Sequence, residues 1–483
     1  MSKRLAVAAL AVGLIERLLY FLWSPVTYDE AYTYLSFVSQ PLLTAIGRYD
    51  LANNHPLNSL LAWFSTRLLS GEPMALRLPS LILGVGALFL CHRLFSRLMG
   101  PSAGALATLA FAVSPPILFY STQARGYIGQ LCFSFLLLIA ILEDRAPALI
   151  VLAAALALWS VPTAVYPIAA LFLFLLVSHR LSLWPLTRLA VRTAAWTVAL
   201  YLPIFIYVTL FGTNLPDMLK VGSARAGVLY ARRLATYFVS SAIPGLSVLF
   251  LLSYVVFPFL AFRKNRELFL LWVCLTCTPL VPILLTQTAP PFERTWLWLA
   301  PFFTAFALQT VLYAAEHWRT TREHPVMPAV LVLVLLPVAA RSLGQIVVMQ
   351  QNRTRDLEHV SQALHDVVQP GDVLGLPEPD LTTLDYYGAL DPQGHKYLST
   401  RRYPLAGGWD FALYRMHGPV AALREPISPR MRSRIFTVSA LADHREDLHR
   451  VLKPFGLGET PPVEVPHEHG KDVIVFMLTG RGS

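Results

Sequence analysis

From Met1 to Met349 the chain repeats one pattern, apolar runs of roughly 18 to 25 residues with the charges gathered between them. A run of that length crosses a hydrocarbon core as a helix, where every backbone N–H and C=O is satisfied within the segment. The runs fall at Leu5–Trp23, Ala75–Leu98, Ala103–Tyr120, Arg125–Leu142, Pro147–Val161, Thr163–Ser178 and Val191–Phe211. After the loop Gly212–Arg233 they resume at Leu234–Phe262, Glu267–Thr286, Trp296–Ala315 and Pro325–Met349. The pattern predicts a polytopic α-helical membrane protein of about eleven spans. Glu16 and Arg17 stand inside the first run and must face other helices rather than lipid.

Two stretches break the pattern. Ser24–Met74 is too long for a turn, and its Glu30–Gln40 and Leu57–Leu69 segments have aromatic and leucine faces suited to helices lying in the interface. Beyond residue 349 the apolar positions shorten. Asp356–Val368 carries a helical stripe that Gln369-Pro370-Gly371 stops. Asp372–Leu376, Ile435–Val438 and Val473–Met477 read as strands, and Asp443–Leu452 as a helix. The expected organisation is a membrane domain over 1–349, with residues 24–74 as its first outside loop, and a small α/β domain over 350–483.

Composition agrees, with 55% hydrophobic and only 14% charged residues. The net charge of +10 would suit a nucleic-acid binder. Its location argues otherwise: residues 1–349 hold 24 of the 39 Lys and Arg but 12 of the 29 Asp and Glu, so the excess is confined to the membrane half. With a cytoplasmic N-terminus, inside loops carry 13 basic residues and outside loops 8, the direction of the positive-inside rule. An odd number of spans then places the tail outside. Cys91, Cys132, Cys274 and Cys277 all lie in apolar runs, so no disulfide framework is expected. The chain has no Gly-rich phosphate loop, and Pro466-His467-Glu468-His469 reads as an exposed loop rather than a metal site.

Candidate chemistry starts at Tyr28-Asp29-Glu30-Ala31-Tyr32, where the first span ends. Under this topology the outward carboxylates of the membrane half are Asp29, Glu30, Asp50, Glu72, Asp217 and Glu293. A carboxylate at the membrane edge can serve as a general base toward a hydroxyl. Asp29-Glu30 can equally cap the helix that follows. Three motifs share that side: Asn54-His55-Pro56-Leu57, the Pro115–Tyr127 stretch ending in Ser121-Thr122-Gln123-Ala124-Arg125-Gly126-Tyr127, and Pro290-Pro291-Phe292-Glu293-Arg294-Thr295. Arg125 and Arg294 at the bilayer edge can snorkel to headgroups or cradle a phosphate.

In that order, D-E after the first span, H-P before the second, Y-S-x-x-A-R-x-Y between the third and fourth and P-x-x-R before a late span, the chain resembles the GT-C glycosyltransferases. The nearest branch is the group of bacterial aminoarabinose transferases and protein O-mannosyltransferases. The resemblance implies an integral membrane enzyme that takes a sugar from a polyprenyl-phosphate-linked donor to a hydroxyl acceptor. It implies Asp29 as base, with Glu30, Asn54, His55, Tyr127 and Glu293 around the site. Arg125 and Arg294, joined by Lys220 and Arg225, would hold the donor phosphate. No cofactor is implied and a divalent metal is not indicated. The chain departs from the group at Gln123, where an acid is common, and at Thr295, where an aromatic is. A transporter or flippase of a lipid-linked glycan and an oligosaccharide ligase stay open as alternatives.

Overall fold

The computed structural model describes residues 2–49, 53–69, 73–212, 247–277 and 293–318, then 340, 344, 373–377, 382–383, 386–387, 396–404, 410–417, 435–438, 463–465 and 473–478. The chain forms two compact units. Met1–Ser24 and Phe37–Ile346 make one; Pro25–Ser36 and Val347–Ser483 make the other.

The first unit is helical. Helix α1 (Ser2–Trp23) enters at the N-terminus, and α2 (Tyr28–Thr33), which belongs to the second unit, follows it in the chain. Next come α3 (Leu42–Gly47), α4 (Pro56–Leu68), α5 (Pro73–Met99) and α6 (Pro101–Ala112). The chain goes on through α7 (Pro115–Thr122), α8 (Tyr127–Leu142), α9 (Pro147–Ser160), α10 (Val165–Val177) and α11 (Leu183–Phe211). Helices α12 (Ser247–Lys264), α13 (Arg266–Cys277) and α14 (Ala300–Trp318) complete the described part. Helix α1 packs on α5 and α6 at Gly13, where an added Cβ would stand 2.8 Å from Leu88 and 2.9 Å from Ala112. A small residue lets the backbones approach this closely. Glu16 and Arg17 are buried, and Arg17 donates to the Gly13 carbonyl at 2.9 Å while its guanidinium lies 5.3 Å from the Phe111 ring centre.

Several predicted spans shift. The run Ala103–Tyr120 is two helices, α6 and α7, bent by 65°. Pro115 and Pro116 remove backbone donors, and Pro115 drives Ser114 out of the helical region, so the helix restarts at Pro115. Pro162 does the same after α9: Val161 is extended and a short 3-10 turn, Pro162–Ala164, leads into α10. Helix α11 starts at Leu183 rather than Val191, so Arg188 and Arg192 ride on the helix instead of a loop. Val191, Trp196, Val198, Leu202, Phe205 and Phe211 are exposed along it, the surface a helix offers to lipid. Among the described residues four helices are long and apolar enough to cross a membrane, or five if the bent pair α6–α7 counts as one span. Helices α8, α9 and the 162–177 segment are apolar but shorter. The predicted span Pro325–Met349 lies outside the described residues except for 340 and 344, and Leu234–Phe262 and Glu267–Thr286 are described only in part.

At the C-terminal end of α8, Glu143 accepts from Arg93 at 2.8 and 2.6 Å and from Arg145, while Arg180 joins Asp144 and Glu267. These partly exposed pairs stitch helix ends together, and solvent screening keeps the contribution of each small. The other end of α8 carries the candidate site.

The second unit holds α2 and a six-stranded sheet in the order β2-β3-β1-β4-β6-β5. Its strands are β1 (Val373–Pro377), β2 (Lys396–Pro404), β3 (Asp410–His417), β4 (Ile435–Val438), β5 (Val463–Val465) and β6 (Val473–Leu478). β1 runs parallel to β4 and antiparallel to β3, and a bulge between Ser399 and Arg401 interrupts the β2–β3 ladder. The predicted helices Asp356–Val368 and Asp443–Leu452 lie outside the described residues.

Candidate active site

Polar residues from three motifs of the first unit meet where α8 begins. Helix α7 ends at Thr122, Gln123 is extended, and Gly126 caps α8. Glycine is required at that cap: a Cβ there would stand 2.2 Å from the Ser160 carbonyl oxygen and 3.0 Å from the Cβ of His55. The start of α8 therefore lies directly on the end of α9, with His55 seated beside both. Just before the cap, Arg125 is buried, 1% exposed, and its guanidinium donates to the side chain of Asn53 and, at 3.3 Å, to the Asn53 carbonyl. This charge-assisted pair joins the first loop to the α7–α8 turn across 72 residues of sequence.

The Asn54-His55-Pro56 motif divides its labour. Asn54 Nδ2 donates to the carbonyls of Ala45 at 3.0 Å and Arg48 at 2.9 Å, and its Oδ1 accepts from Ser59 Oγ at 2.7 Å. Asn54 is thus a brace between α3 and α4, which fixes its neighbour His55 at the N-cap of α4. Pro56 takes the first helical position, where its missing N–H costs nothing. The His55 ring meets Tyr127 edge-on at 5.0 Å, Tyr127 meets Tyr120 at 5.0 Å, and the Arg294 guanidinium lies 5.9 Å from the Tyr127 ring centre. Arg294 comes from the 3-10 turn Glu293–Leu299 that leads into α14. Three distant motifs of the sequence thus meet around Tyr127.

Electrostatics set the character of His55. It is 5% exposed, and no described residue offers either ring nitrogen a hydrogen bond. Burial holds its pKa well below the ordinary histidine value, and the guanidiniums of Arg125 and Arg294 press in the same direction. The Ser160 carbonyl pulls weakly the other way without reaching hydrogen-bond geometry. The imidazole is neutral at pH 7, so one nitrogen can donate while the other accepts. Two guanidiniums and a neutral imidazole form a set suited to an oxyanion and its attached hydroxyls.

Asp29 and Glu30 are described within the second unit. Thr27, not Asp29, is the N-cap of α2. The Thr27 hydroxyl accepts from the Glu30 amide at 3.4 Å, and the Glu30 carboxylate accepts from the Thr27 amide at 3.1 Å and its hydroxyl at 3.3 Å. This capping box separates the pair that the sequence presents together: Glu30 is buried and bonded to the cap, while Asp29 is half-buried in the second helical position. The Thr33 hydroxyl donates to the Asp29 carbonyl at 2.8 Å. The signature Thr27-x-x-Glu30 was present in the sequence and identifies the true cap. Lys220, Arg225 and the Pro466–His469 stretch lie outside the described residues, and Glu293 opens the turn that carries Arg294. Asn53, as the partner of Arg125, had no local signal.

No protein-family model and no curated protein matches the sequence. Solved structures do match. ArnT from Cupriavidus metallidurans bound to undecaprenyl phosphate superposes with a TM-score of 0.57 at 13% identity, over 98% of this chain and 97% of that one. The same protein in the apo state gives 0.59 at 12%, with the same coverage. The chain has the GT-C fold. ArnT, an aminoarabinose transferase, is a GT-C membrane glycosyltransferase, and the match takes in almost the whole of both chains. At this identity the likeness establishes the GT-C fold, and activity has to be argued from residues.

Proposed function

We propose that this protein is an inverting glycosyltransferase. It moves a sugar from a polyprenyl-phosphate-linked donor to a hydroxyl acceptor on the outer side of the membrane. The observation that carries the reading is the cluster of buried His55, Arg125 and Tyr127 with half-buried Arg294, in which both guanidiniums act on a neutral imidazole. The GT-C fold supports it, as does the undecaprenyl phosphate bound to ArnT.

The roles follow from the chemistry. Arg125 and Arg294 hold the donor phosphate and stabilise the charge that develops as the bond from phosphate oxygen to sugar carbon breaks. His55 hydrogen-bonds the phosphate or a sugar hydroxyl. Asp29 takes the acceptor proton as the acceptor oxygen attacks the opposite face of the sugar carbon. The products are an inverted glycoside and polyprenyl phosphate. Lys220 and Arg225, from the Gly212–Arg233 segment, are assigned to the donor as well. In the membrane the N-terminus is cytoplasmic and the C-terminal unit is outside.

Glu16 and Arg17, ionisable and buried inside α1, favour a second reading, a transporter of a lipid-linked glycan. One experiment separates the two. Purified protein in liposomes is incubated with several polyprenyl-phosphate sugars, and both released polyprenyl phosphate and lipid transbilayer movement are followed. Release with formation of a glycoside supports the transferase. Movement without release supports the transporter. The glycan length on the product distinguishes a single-sugar transferase from an oligosaccharide ligase.

A further inference from the structure

The segment that carries Asp29 belongs to the C-terminal unit, since Pro25–Ser36 groups with Val347–Ser483. A ring contact fastens it there. Tyr34, the residue that ends α2, meets Tyr386 edge-on, with centroids 5.1 Å apart and planes at 85°. This is the favoured arrangement of two aromatic rings. Tyr386 is fully buried, its ring also meets Tyr387 at 5.4 Å, and the nearby Thr383 is 1% exposed. The seat under Tyr34 is therefore dry and packed, not a surface contact.

The geometry of α2 gives the contact its meaning. Glu30 and Tyr34 are four residues apart and share a helical face; Asp29 and Thr33 are four apart on the next. One face thus holds both fastenings, the Thr27–Glu30 box at the start and the Tyr34–Tyr386 pair at the end. The adjoining face presents Asp29. A helix of 6 residues is too short to be stable alone, so α2 depends on tertiary anchors such as these. The Tyr34 ring also stands where the backbone changes to the π-helical turn Tyr34–Val38.

We propose that Tyr386 is a positioning residue for Asp29: the Tyr34–Tyr386 pair holds α2 in the conformation from which Asp29 accepts the acceptor proton. The proposal rests on Asp29 as the base. Its consequence is that a change at Tyr386 alters the rate of transfer.

The test uses the full-length protein in detergent or nanodiscs. Variants are Tyr386→Ala, Tyr386→Phe, Tyr34→Ala, the double alanine variant and Asp29→Asn. The readouts are kcat and donor KM for transfer and backbone hydrogen exchange over Tyr28–Val38. Misplacing a reacting group by an ångström costs on the order of a hundredfold. Tyr386→Ala is therefore expected to lower kcat about ten- to a hundredfold with donor KM within about twofold, and to speed exchange at Tyr28–Val38 at least about tenfold. Tyr386→Phe keeps the ring and should retain kcat within about threefold. The double variant should fall short of the summed effects of the single ones, because both remove the shared Tyr34–Tyr386 contact. Tyr34→Ala gives the same information if Tyr386→Ala does not accumulate. Wild-type kcat and exchange in both single alanine variants overturn the positioning role, as does a Tyr386→Phe protein as impaired as Tyr386→Ala. If Asp29→Asn is inactive while the tyrosine variants are normal, only the positioning role falls. If Asp29→Asn transfers normally, the assignment of the base falls and takes the positioning role with it.

Discussion

Under the proposed function Arg125 has two tasks that a single truncation removes together, and variants can separate them. Its guanidinium donates twice to Asn53, and under the proposed function it also holds the donor phosphate. A hydrogen bond from a charged group contributes roughly 1.5–3 kcal/mol. Arg125→Ala therefore loses about 1.5–3 kcal/mol of stability through Asn53, and a similar amount of donor binding, which is about 10- to 150-fold in donor KM. Asn53→Ala removes the side-chain tether and leaves the guanidinium, so it should lower the melting temperature while changing donor KM less than about threefold. Arg125→Lys keeps the charge without the planar fork, and should recover part of the donor affinity but little of the tether. Arg294→Ala should raise donor KM in the same range. The assays are thermal unfolding in detergent and steady-state transfer across donor concentrations. If Arg125→Ala melts like Asn53→Ala and keeps wild-type donor KM, Arg125 is a tether alone and the phosphate assignment is wrong.

Three further outcomes are expected. Because folding depresses the His55 pKa, the folded state binds fewer protons than the unfolded one below about pH 6.5, so stability is lost as pH falls through that window. The melting temperature of His55→Gln should therefore fall less between about pH 7.5 and 5.5 than that of the wild type; parallel curves would refute the buried neutral imidazole. Gly126→Ala, whose Cβ would stand 2.2 Å from a backbone oxygen, should destabilise by about 1–3 kcal/mol. Gly86→Ala, which meets only Cys132 at 3.5 Å, is the control, and equal melting points would show that α8 and α9 can separate freely. A reporter active only in the cytoplasm, fused after Ser483, should be silent; activity would place the C-terminal unit on the wrong side for this chemistry.

Among the described residues the helices long enough to cross a membrane were legible as long apolar runs, while α8, α9 and the 162–177 segment are apolar but shorter. The break between α6 and α7 at Pro115 was not read, because the run of hydropathy across Val113-Ser114 concealed it, whereas Pro162 falls at the boundary read between Pro147–Val161 and Thr163–Ser178. In the sheet, the three strands readable from sequence, β1, β4 and β6, are adjacent to one another, and their continuous apolar runs suit strands flanked on both sides. β2 and β5 are the edges; one carries Lys396, Arg401 and Arg402 and the other has 3 residues, so neither shows a clear pattern. The site was legible as a set of motifs, since His55, Arg125, Tyr127 and Arg294 each stand at a helix boundary. Their meeting was not, because no local rule pairs Asn53 with Arg125 or brings Arg294 to Tyr127. The Thr27–Glu30 box is the opposite case, a local signal hidden behind the acidic pair beside it.

The central claim is that this protein transfers a sugar with Asp29 as the base, and Asp29→Asn tests it most directly. Asparagine keeps the shape and hydrogen-bonding capacity but cannot take a proton, and Thr27 rather than Asp29 supplies the cap, so the fold should be kept. The measurement is a single-turnover rate of polyprenyl phosphate release, with saturating donor and acceptor, alongside thermal unfolding. The account predicts wild-type release, an Asp29→Asn rate lower by on the order of 10²–10⁴, and a melting temperature close to that of the wild type. Release by Asp29→Asn at the wild-type rate would contradict it.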